Sequence, residues 1–241
     1  MTAMTLRAAW ERVAASWVRW ARAPGHDGYW RYHRDQFLEL VPRPGRRTLD
    51  LGCGEGRLAR DLTARGHDVV ALDASPTMSA AAREAAPEIG TLCADAAALP
   101  FADGAFDLVI AFMSLQDVDE MEGAVAESAR VLEPGGRLCL AIVHPFQSAG
   151  KFTSVDDDAP FVVDGSYLDG HFTEDEFERD GLRMTFTSRH RPLEQYARAL
   201  EDAGLSIERI REPRTRKGQA HTARWERLPL FLHLEARKRA R

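Results

Sequence analysis

A glycine-rich segment carries the first chemical signal in the sequence. It reads Thr48-Leu-Asp-Leu-Gly-Cys-Gly-Glu-Gly56, with glycine at every second position from Gly52. Glycines at a strand-to-helix turn let the backbone approach a ligand closely, and the helix that follows directs its free N–H groups toward that ligand. A dinucleotide fingerprint would need a glycine where Arg57 stands, and Asp50 would repel a diphosphate. The segment therefore favours a cationic ligand over a pyrophosphate.

Polar residues also stand where two later apolar runs end. The run at 106–113 is followed by Ser114-Leu-Gln-Asp117, and the run at 137–143 is followed by His144. In an open parallel sheet, ligands bind beyond the carboxyl ends of the strands. We therefore expect these polar side chains to face the same ligand site as the glycine-rich turn.

The rhythm of the chain indicates which elements position these residues. From residue 47 onward, short runs that are apolar on both faces alternate with helix-like segments, which predicts an α/β fold whose parallel sheet is covered on both sides. Before the first strand, the pattern predicts an amphipathic helix at 5–23 and a second amphipathic segment at 29–41. Between later strands it predicts a helix that follows the glycine-rich turn and continues through residue 65, and helices at 75–86, 121–132 and 193–203. Strands are predicted at 48–51, 68–73, 90–94, 106–113, 137–143, 205–211 and 228–234.

The glycine-rich segment resembles the nucleoside-binding loop of class I S-adenosylmethionine-dependent methyltransferases. Four later segments resemble the same family in the same order, namely 71–78, 93–96, 99–109 and 130–138. The resemblance implies a Rossmann-like sheet of seven strands, mostly parallel, with helices on both faces. It also implies methyl transfer to a small-molecule acceptor, of the kind found in small-molecule biosynthesis.

The resemblance also suggests how the chain is divided. Residues 1–44 are expected to form an N-terminal helical cap, and residues 45–241 the methyltransferase domain. An insertion after the fifth strand, at 145–192, is expected on the acceptor side. Because residues 154–180 hold ten acidic residues and one basic residue, we expect this insertion to form a partly mobile cap.

The family's residue roles are carried over to the matching positions. The backbone at Gly52 and Gly54 would face the methionine part of S-adenosylmethionine, and Asp73 would accept hydrogen bonds from two ribose hydroxyls. Asp95 would accept a hydrogen bond from the adenine amine, with Met78 against the adenine face. The other residues expected to contact this cofactor, or its product S-adenosylhomocysteine, are Asp50, Cys53, Ala74, Ala96 and Phe112.

Catalysis is expected beside the cofactor. A sulfonium already activates its methyl group, so in an SN2 displacement the protein mainly aligns the reactants and excludes water. A base is needed only if the acceptor loses a proton, and His144 is the first candidate because the pKa of histidine lies near 6.5. The alternative for His144 is a structural role at the strand end. Contacts to the acceptor are expected from Tyr29, Tyr32, Gln116, Asp117, Phe146 and Tyr167.

Two other functions stay open at this stage. Residues 209–241 hold eleven basic residues against three acidic ones, which is the best argument for an RNA (tRNA) substrate, and a protein substrate is the related alternative. Relatives that methylate exocyclic amines or glutamine amides often carry a Pro-Pro-aromatic motif where this chain has 112–116, so those acceptors are disfavoured. The other function is a cofactor-binding regulator, or an enzyme that uses S-adenosylmethionine without methylating, such as a cyclase.

The composition indicates in which compartment the protein works and which partners are disfavoured. Three cysteines are too few for a disulfide framework, so we expect a reducing cytoplasm. The net charge of −5 gives no general attraction to nucleic acid or to an anionic membrane. No apolar run approaches the roughly 20 residues that cross a bilayer, and the charged, amphipathic start argues against a signal peptide. No cluster has metal-ligand spacing, and a monomer and a homodimer both fit.

Overall fold

The computed structural model of the protein describes residues 5–214 and 223–239. Its strands are β1 (Thr48–Leu51), β2 (Val69–Asp73), β3 (Gly90–Cys93), β4 (Phe106–Phe112), β5 (Leu132–Val143), β6 (Gly150–Phe152), β7 (Phe161–Val163), β8 (His171–Arg179), β9 (Leu182–His190), β10 (Leu205–Arg211) and β11 (Phe231–Lys238). Seven of them form one sheet, and the other four form two hairpins, β6–β7 and β8–β9.

The central sheet runs in the order β10-β11-β5-β4-β1-β2-β3. β1 pairs in parallel with β2 and β4, and β4 pairs in parallel with β5. β11 is antiparallel to both of its neighbours. The predicted seven-stranded, mostly parallel sheet is therefore confirmed. The strand order reverses between β1 and β4, which is where open sheets of this kind bind ligands.

Helices cover both faces because successive strand residues point to opposite sides. In β4, Val109 and Ala111 join one buried cluster, while Leu108 and Ile110 join the other. Within the described residues, no helix has the length and hydropathy needed to cross a membrane. The helices are α1 (Leu6–Arg22), a π-helical turn (Tyr29–His33), α2 (Arg34–Leu40), α3 (Arg57–Ala64), α4 (Pro76–Ala85), a 3-10 turn (Leu115–Asp117), α5 (Met121–Val131), α6 (Pro145–Ser148), α7 (Leu193–Asp202) and a second 3-10 turn (Ala223–Glu226).

Two strands differ from the prediction for identifiable reasons. β5 begins at Leu132 rather than at residue 137, because a register irregularity absorbs the Pro-Gly-Gly sequence that had predicted a turn. β11 lies three to four residues later than the predicted 228–234. It contains the buried Glu235, which pairs with the Arg137 guanidinium at an N–O distance of 3.1 Å. Because a charged residue interrupts the apolar run, a pattern of hydrophobicity alone does not indicate the bounds of this strand.

The insertion contains more regular structure than its sequence indicated. β8 and β9 pair in antiparallel register over nine residue pairs, from His171 with His190 to Arg179 with Leu182. Most β8 side chains are exposed on both faces. Apolar and polar residues therefore do not alternate along β8, and the sequence lacks the usual signal of a half-buried strand.

The N-terminal helix α1 is fastened to the sheet at two places. The backbone N–H of Leu6 donates to Oδ1 of Asp119 over 2.9 Å. Farther along the helix, the Glu11 carboxylate accepts hydrogen bonds from the hydroxyls of Ser75 and Thr77, at the start of α4. These bonds hold α1 across the carboxyl edge of the sheet.

Aromatic side chains join α1 to the hairpin β8–β9. Phe186 of β9 meets three indoles of α1 edge-on, with ring centroids 6.3 Å from Trp10, 5.7 Å from Trp17 and 6.2 Å from Trp20. Edge-to-face geometry at these distances is favourable for aromatic pairs. We call these four residues the aromatic roof.

Arg191, directly after β9, fixes the insertion to the sheet. Its guanidinium is buried and donates to four backbone carbonyls of the loop after β4, including 2.6 Å to Val118 O and 3.3 Å to Gln116 O. A buried guanidinium needs such acceptors, and the loop carbonyls need its donors. Arg191 therefore sets the position of the loop 115–119.

We expect Arg191→Ala to lower the free energy of unfolding by about 3 kcal/mol, because it removes charge-assisted hydrogen bonds and leaves buried carbonyls unpaired. Urea denaturation would measure this change. The matched control is Arg183→Ala in the same hairpin, whose exposed ion pair with Glu178 should contribute less than about 1 kcal/mol. Equal losses in the two variants would contradict the anchoring role.

Candidate functional site

A cavity of about 910 Å³ lies at the carboxyl edge of the sheet. Its floor is made by the ends of β1, β2 and β4, and the aromatic roof covers it. The volume is near the upper end of the usual range for small-molecule sites, about 300–1,000 Å³. The structure brings all ten residues that were predicted to contact a cofactor to this cavity: Asp50, Gly52, Cys53, Gly54, Asp73, Ala74, Met78, Asp95, Ala96 and Phe112.

The glycine-rich turn has a conformation that requires glycine. Gly52 has φ +74°, in the left-handed region that other residues rarely adopt. A Cβ placed on Gly52 would lie 2.4 Å from Cβ of Ser114, which is closer than any real contact. The bare backbone of the turn is therefore free to face the cavity.

Asp73 holds the turn from the neighbouring strand. Its Oδ2 accepts a hydrogen bond from the N–H of Gly54 at 2.8 Å, and its Oδ1 accepts one from the N–H of Ser75 at 2.9 Å. Burial raises the pKa of Asp73, and these two hydrogen bonds act in the opposite direction. Because a carboxylate has about four lone-pair sites, Asp73 can also accept hydrogen bonds from a ligand.

Asp50 is the most unusual charge at the floor. Its side chain is buried, and its Oδ2 has no hydrogen-bond partner. Burial, reinforced by the nearby charge of Asp73, raises the pKa of Asp50 to about 7. A buried, unpaired carboxylate oxygen is costly unless a cation or a donor reaches it. The site is thus suited to a ligand with a positively charged group.

Asp95 lies at the outer end of the cavity. Its carboxylate is half-exposed, accepts a hydrogen bond from the N–H of Ala97 at 2.9 Å, and lies 3.8 Å from the guanidinium of Arg7. Met78, on α4, is buried and lines the same cavity. Asp95 and Met78 can therefore bound a ligand that reaches past β3.

Arg57 supports the aromatic roof from below. Its guanidinium lies 5.1 Å from the ring centroid of Trp17 and 4.6 Å from that of Tyr29. The same guanidinium forms an ion pair with Asp27. Cation–π contacts of this kind are strongest where water is excluded. Sequence reasoning missed this role and used Arg57 only as the residue that breaks a dinucleotide fingerprint.

Asp117 lies on the other side of the cavity, in the 3-10 turn after β4. Its carboxylate accepts hydrogen bonds from the Ser188 hydroxyl at 2.6 Å and from the Gln116 side-chain amide at 3.2 Å. Burial raises the pKa of Asp117 to about 7, against the opposing effects of Ser188 and of the Arg191 charge. All of these groups except Arg191 line the cavity, so the predicted pair of Gln116 and Asp117 lies in the same cavity as the glycine-rich turn.

The predicted tyrosines of the N-terminal segment both line the cavity. The Tyr29 hydroxyl donates to Oδ2 of Asp61 at 2.7 Å, and burial raises its pKa above the ordinary value. That hydroxyl is occupied by a protein partner, so Tyr29 offers mainly its ring to a ligand. Tyr32 is half-buried at the rim.

The other three predicted residues lie elsewhere. His144 caps α6 by accepting a hydrogen bond from the N–H of Phe146 on Nδ1, and its Nε2 lies 3.1 Å from Glu212. Burial lowers the pKa of His144, against the effect of Glu212. Phe146 stacks on Phe161, and the hydroxyl of Tyr167 accepts a hydrogen bond from the N–H of Leu193. Among the described residues, the cavity lining includes none of these three predicted residues, so their assigned roles stay predictions without geometric support.

Sequence reasoning missed the aromatic roof and Ser188. The pattern at 5–23 predicts only an amphipathic helix, with Trp10 and Trp17 on its apolar face. The unused signal was that three tryptophans share this face, since side chains this large offer extensive contact area to a ligand or a neighbouring element. Phe186 and Ser188 lie in a strand that no pattern indicated. Three of the eleven basic residues counted at 209–241, namely Arg216, Lys217 and Arg241, lie outside the described residues.

Comparisons with known proteins agree with this geometry. Residues 49–140 match the family described as a methyltransferase domain. The demethylmenaquinone methyltransferase of Beutenbergia cavernae is 41% identical over 117 residues, which cover 48% of this chain and 48% of that protein. The match therefore spans about half the length of this curated relative.

Solved structures match over nearly the whole chain. The crystal structure of an S-adenosylmethionine-dependent methyltransferase from Mesorhizobium loti aligns with a TM-score of 0.69 and 27% identity, over 88% of this chain and 98% of that chain. The cyclase SpnF aligns with a TM-score of 0.66 over 99% and 98% of the two chains. At 23% identity, the likeness to SpnF shows a shared fold alone.

The state of Asp50 predicts how stability depends on pH. Its pKa in the folded protein lies above the value of about 3.9 in an unfolded chain. The stabilisation that the protonated Asp50 carboxyl gives to the folded state is therefore fully present below about pH 4 and is lost as pH rises through about 7. Asp50→Asn keeps the neutral form at every pH, so without ligand its melting temperature should exceed that of the wild type at pH 8 by at least about 2 °C, and not at pH 4.

Thermal unfolding between pH 4 and pH 8 would measure this difference. The exposed Asp156→Asn is the control, and its melting temperature should follow that of the wild type at every pH. A gain for Asp50→Asn that does not vary with pH would contradict the raised pKa.

Proposed function

Because the chain belongs to the class I S-adenosylmethionine-dependent methyltransferases, we propose that it transfers a methyl group from S-adenosylmethionine to a small organic acceptor. The observation that carries this proposal is one cavity, lined at one end by the glycine-rich turn and at the other by the aromatic roof and Asp117. A volume of about 910 Å³ is sufficient for a nucleoside cofactor together with a second small molecule.

The floor of the cavity fits the cofactor chemically. Asp50 presents a buried oxygen without a partner, which suits the α-ammonium group. The bare backbone of the turn at Gly52 and Gly54 suits the methionine part, and Asp73 retains lone pairs for ribose hydroxyls. Asp95 would accept a hydrogen bond from the adenine amine, with Met78 against the ring.

When bound, S-adenosylmethionine would supply a sulfonium-activated methyl group for in-line transfer to the acceptor, with S-adenosylhomocysteine as the leaving group. The contribution of the chain is then mostly geometric. The aromatic roof excludes water above the cavity, and Arg57 holds Trp17 in place. The loop 115–119, fixed by Arg191, positions the acceptor end relative to the glycine-rich turn. Alignment of two bound reactants in a dry site can account for a large part of a rate enhancement.

The aromatic roof favours an aromatic acceptor. Three indoles and a phenyl ring offer faces and edges to a planar molecule, and such pairs gain about 0.5–1.5 kcal/mol beyond area burial. The curated relative from Beutenbergia cavernae is named for demethylmenaquinone, a compound that fits this chemistry. We therefore place the acceptor among quinol-like or phenolic small molecules.

Asp73→Asn tests the cofactor half of the proposal. An asparagine has one acceptor oxygen and no charge, so we expect the dissociation constant of S-adenosylhomocysteine to rise about tenfold or more, which corresponds to the loss of one charge-assisted hydrogen bond. Isothermal titration calorimetry measures this change. Asp103→Asn, at an exposed carboxylate that pairs with Arg130, is the control and should leave the affinity unchanged. Unchanged affinity in Asp73→Asn would contradict the ribose assignment.

A panel of candidate acceptors tests the proposal that the acceptor is a small phenolic or quinol-like molecule. The wild type would be incubated with S-adenosylmethionine labelled in the methyl group and with naphthoquinols, simple phenols, aliphatic amines and bulk tRNA. We expect label in the quinol or phenol products, because only these are planar, apolar and acidic enough for the cavity. Label in tRNA instead would overturn the small-molecule assignment. A cofactor product formed without any acceptor would favour a non-methylating enzyme.

A further inference from the structure

The acceptor end of the cavity contains polar groups that no protein partner satisfies. Gln116 is 5% exposed, and its Oε1 has no hydrogen-bond partner. The buried indole N–H of Trp10 lies against the Asp117 carboxylate and favours its charged form. Buried polar atoms normally have partners. The free acceptor Oε1 of Gln116 beside Asp117 inside a cavity therefore indicates a ligand with a polar X–H group at this point.

The loop and the insertion both hold the Asp117 carboxylate in place. Ser188 of β9 donates to Oδ1 at 2.6 Å, and the Gln116 side-chain amide donates to Oδ2 at 3.2 Å. Arg191 fixes the backbone of the same loop without forming an ion pair with Asp117. A carboxylate held in this way keeps lone pairs for the cavity, and its rotamer is restrained from two elements.

We propose that Asp117 accepts the proton that a phenolic methyl acceptor loses, with the acceptor hydroxyl held between Asp117 and Gln116 beneath the aromatic roof. This inference rests on the proposed function, and it replaces His144 as the base.

The proton passes directly from the phenol to the Asp117 carboxylate. The O–H bond of the phenol breaks, its electron pair stays on the phenolic oxygen, and the proton forms an O–H bond with the Asp117 carboxylate. The negative charge spreads from the oxygen into the ring, so the oxygen and the ring carbons beside the hydroxyl become more nucleophilic. Asp117 can therefore serve O-methylation directly. In C-methylation the acid would return its proton to the oxygen, while the methylated ring carbon releases its C–H proton to solvent and the ring regains aromaticity. In O-methylation the carboxylic acid returns its proton to solvent after the product leaves.

The surroundings of Asp117 are consistent with a base that works near neutral pH. Burial raises its pKa to about 7, which is the range in which general bases act best. The charged or titratable groups that interact with Asp117 are Arg191, directly after β9, and Tyr196 of α7. Arg7 of α1 and Asp119 of the same loop line the same cavity.

The first test needs no acceptor. In protein labelled with carbon-13 at aspartate carboxyls and saturated with S-adenosylhomocysteine, the signal absent from Asp117→Asn belongs to Asp117. We expect it to titrate near pH 7 in the wild type. Ser188→Ala removes a hydrogen bond that favours the charged form, so the midpoint should move to higher pH. A midpoint near 4, typical of an exposed aspartate, would overturn the proposal.

The second test uses a phenol or quinol from the acceptor panel. The transfer rate of the wild type should rise with pH through about 7, because the base must be ionised. Asp117→Asn should lower the rate at pH 8 by about 100-fold or more and abolish the rise of the rate with pH, while cofactor affinity stays unchanged. Ser188→Ala should keep this rise, which we call the basic limb of the pH profile, and shift it to higher pH.

Matched controls are Asp156→Asn and Ser154→Ala, an exposed pair that is hydrogen-bonded in the same way. Both should keep the wild-type pH profile. A limb that survives in Asp117→Asn, or that disappears in His144→Ala instead, would overturn the proposal. If the wild type binds cofactor but labels no phenol or quinol, the proposed function fails, and the carboxyl titration still decides the ionisation of Asp117.

Discussion

Three carboxylates in the lining of one cavity impose the main constraint on this structure. Asp50, Asp73 and Asp117 all stand at the carboxyl edge of the sheet. Within residues 5–214 and 223–239, none of the three forms an ion pair with a basic side chain. Removing charge from water without a counterion is costly. The neighbouring structure compensates with neutral donors: backbone N–H groups for Asp73 and side-chain donors for Asp117.

This constraint explains why elements distant in sequence converge on the cavity. The glycine-rich turn has to curl tightly to direct an N–H at Asp73, and only glycine tolerates that path beside Ser114. The hairpin has to reach the loop after β4 to bring Ser188 to Asp117. Arg191 anchors the hairpin through backbone carbonyls, and within the described residues it forms no ion pair with the Asp117 carboxylate. A site built in this way is poised for a ligand that is cationic at one end and a hydrogen donor at the other.

The parts predictable from sequence were those that local patterns determine. Strands that are apolar on both faces, and turns that need glycine, indicated the sheet and the ligand edge to within a few residues. The strand containing Glu235 was misplaced because its charge is neutralised by a tertiary contact with Arg137. The role of Phe186 was missed because β8 and β9 gain their stability from each other and from α1, and not from an alternating pattern. His144 stands at the predicted strand end, yet its side chain turns to cap α6.

Because Asp50 is buried, the binding of a ligand in the cavity is also coupled to pH. Below about pH 7 this carboxyl is largely protonated when the cavity holds no cation. A ligand that brings an ammonium group to it favours the ionised form, so binding expels a proton into the buffer. The heat of binding would then vary with the ionisation enthalpy of the buffer, and acidification would weaken binding without altering a single contact.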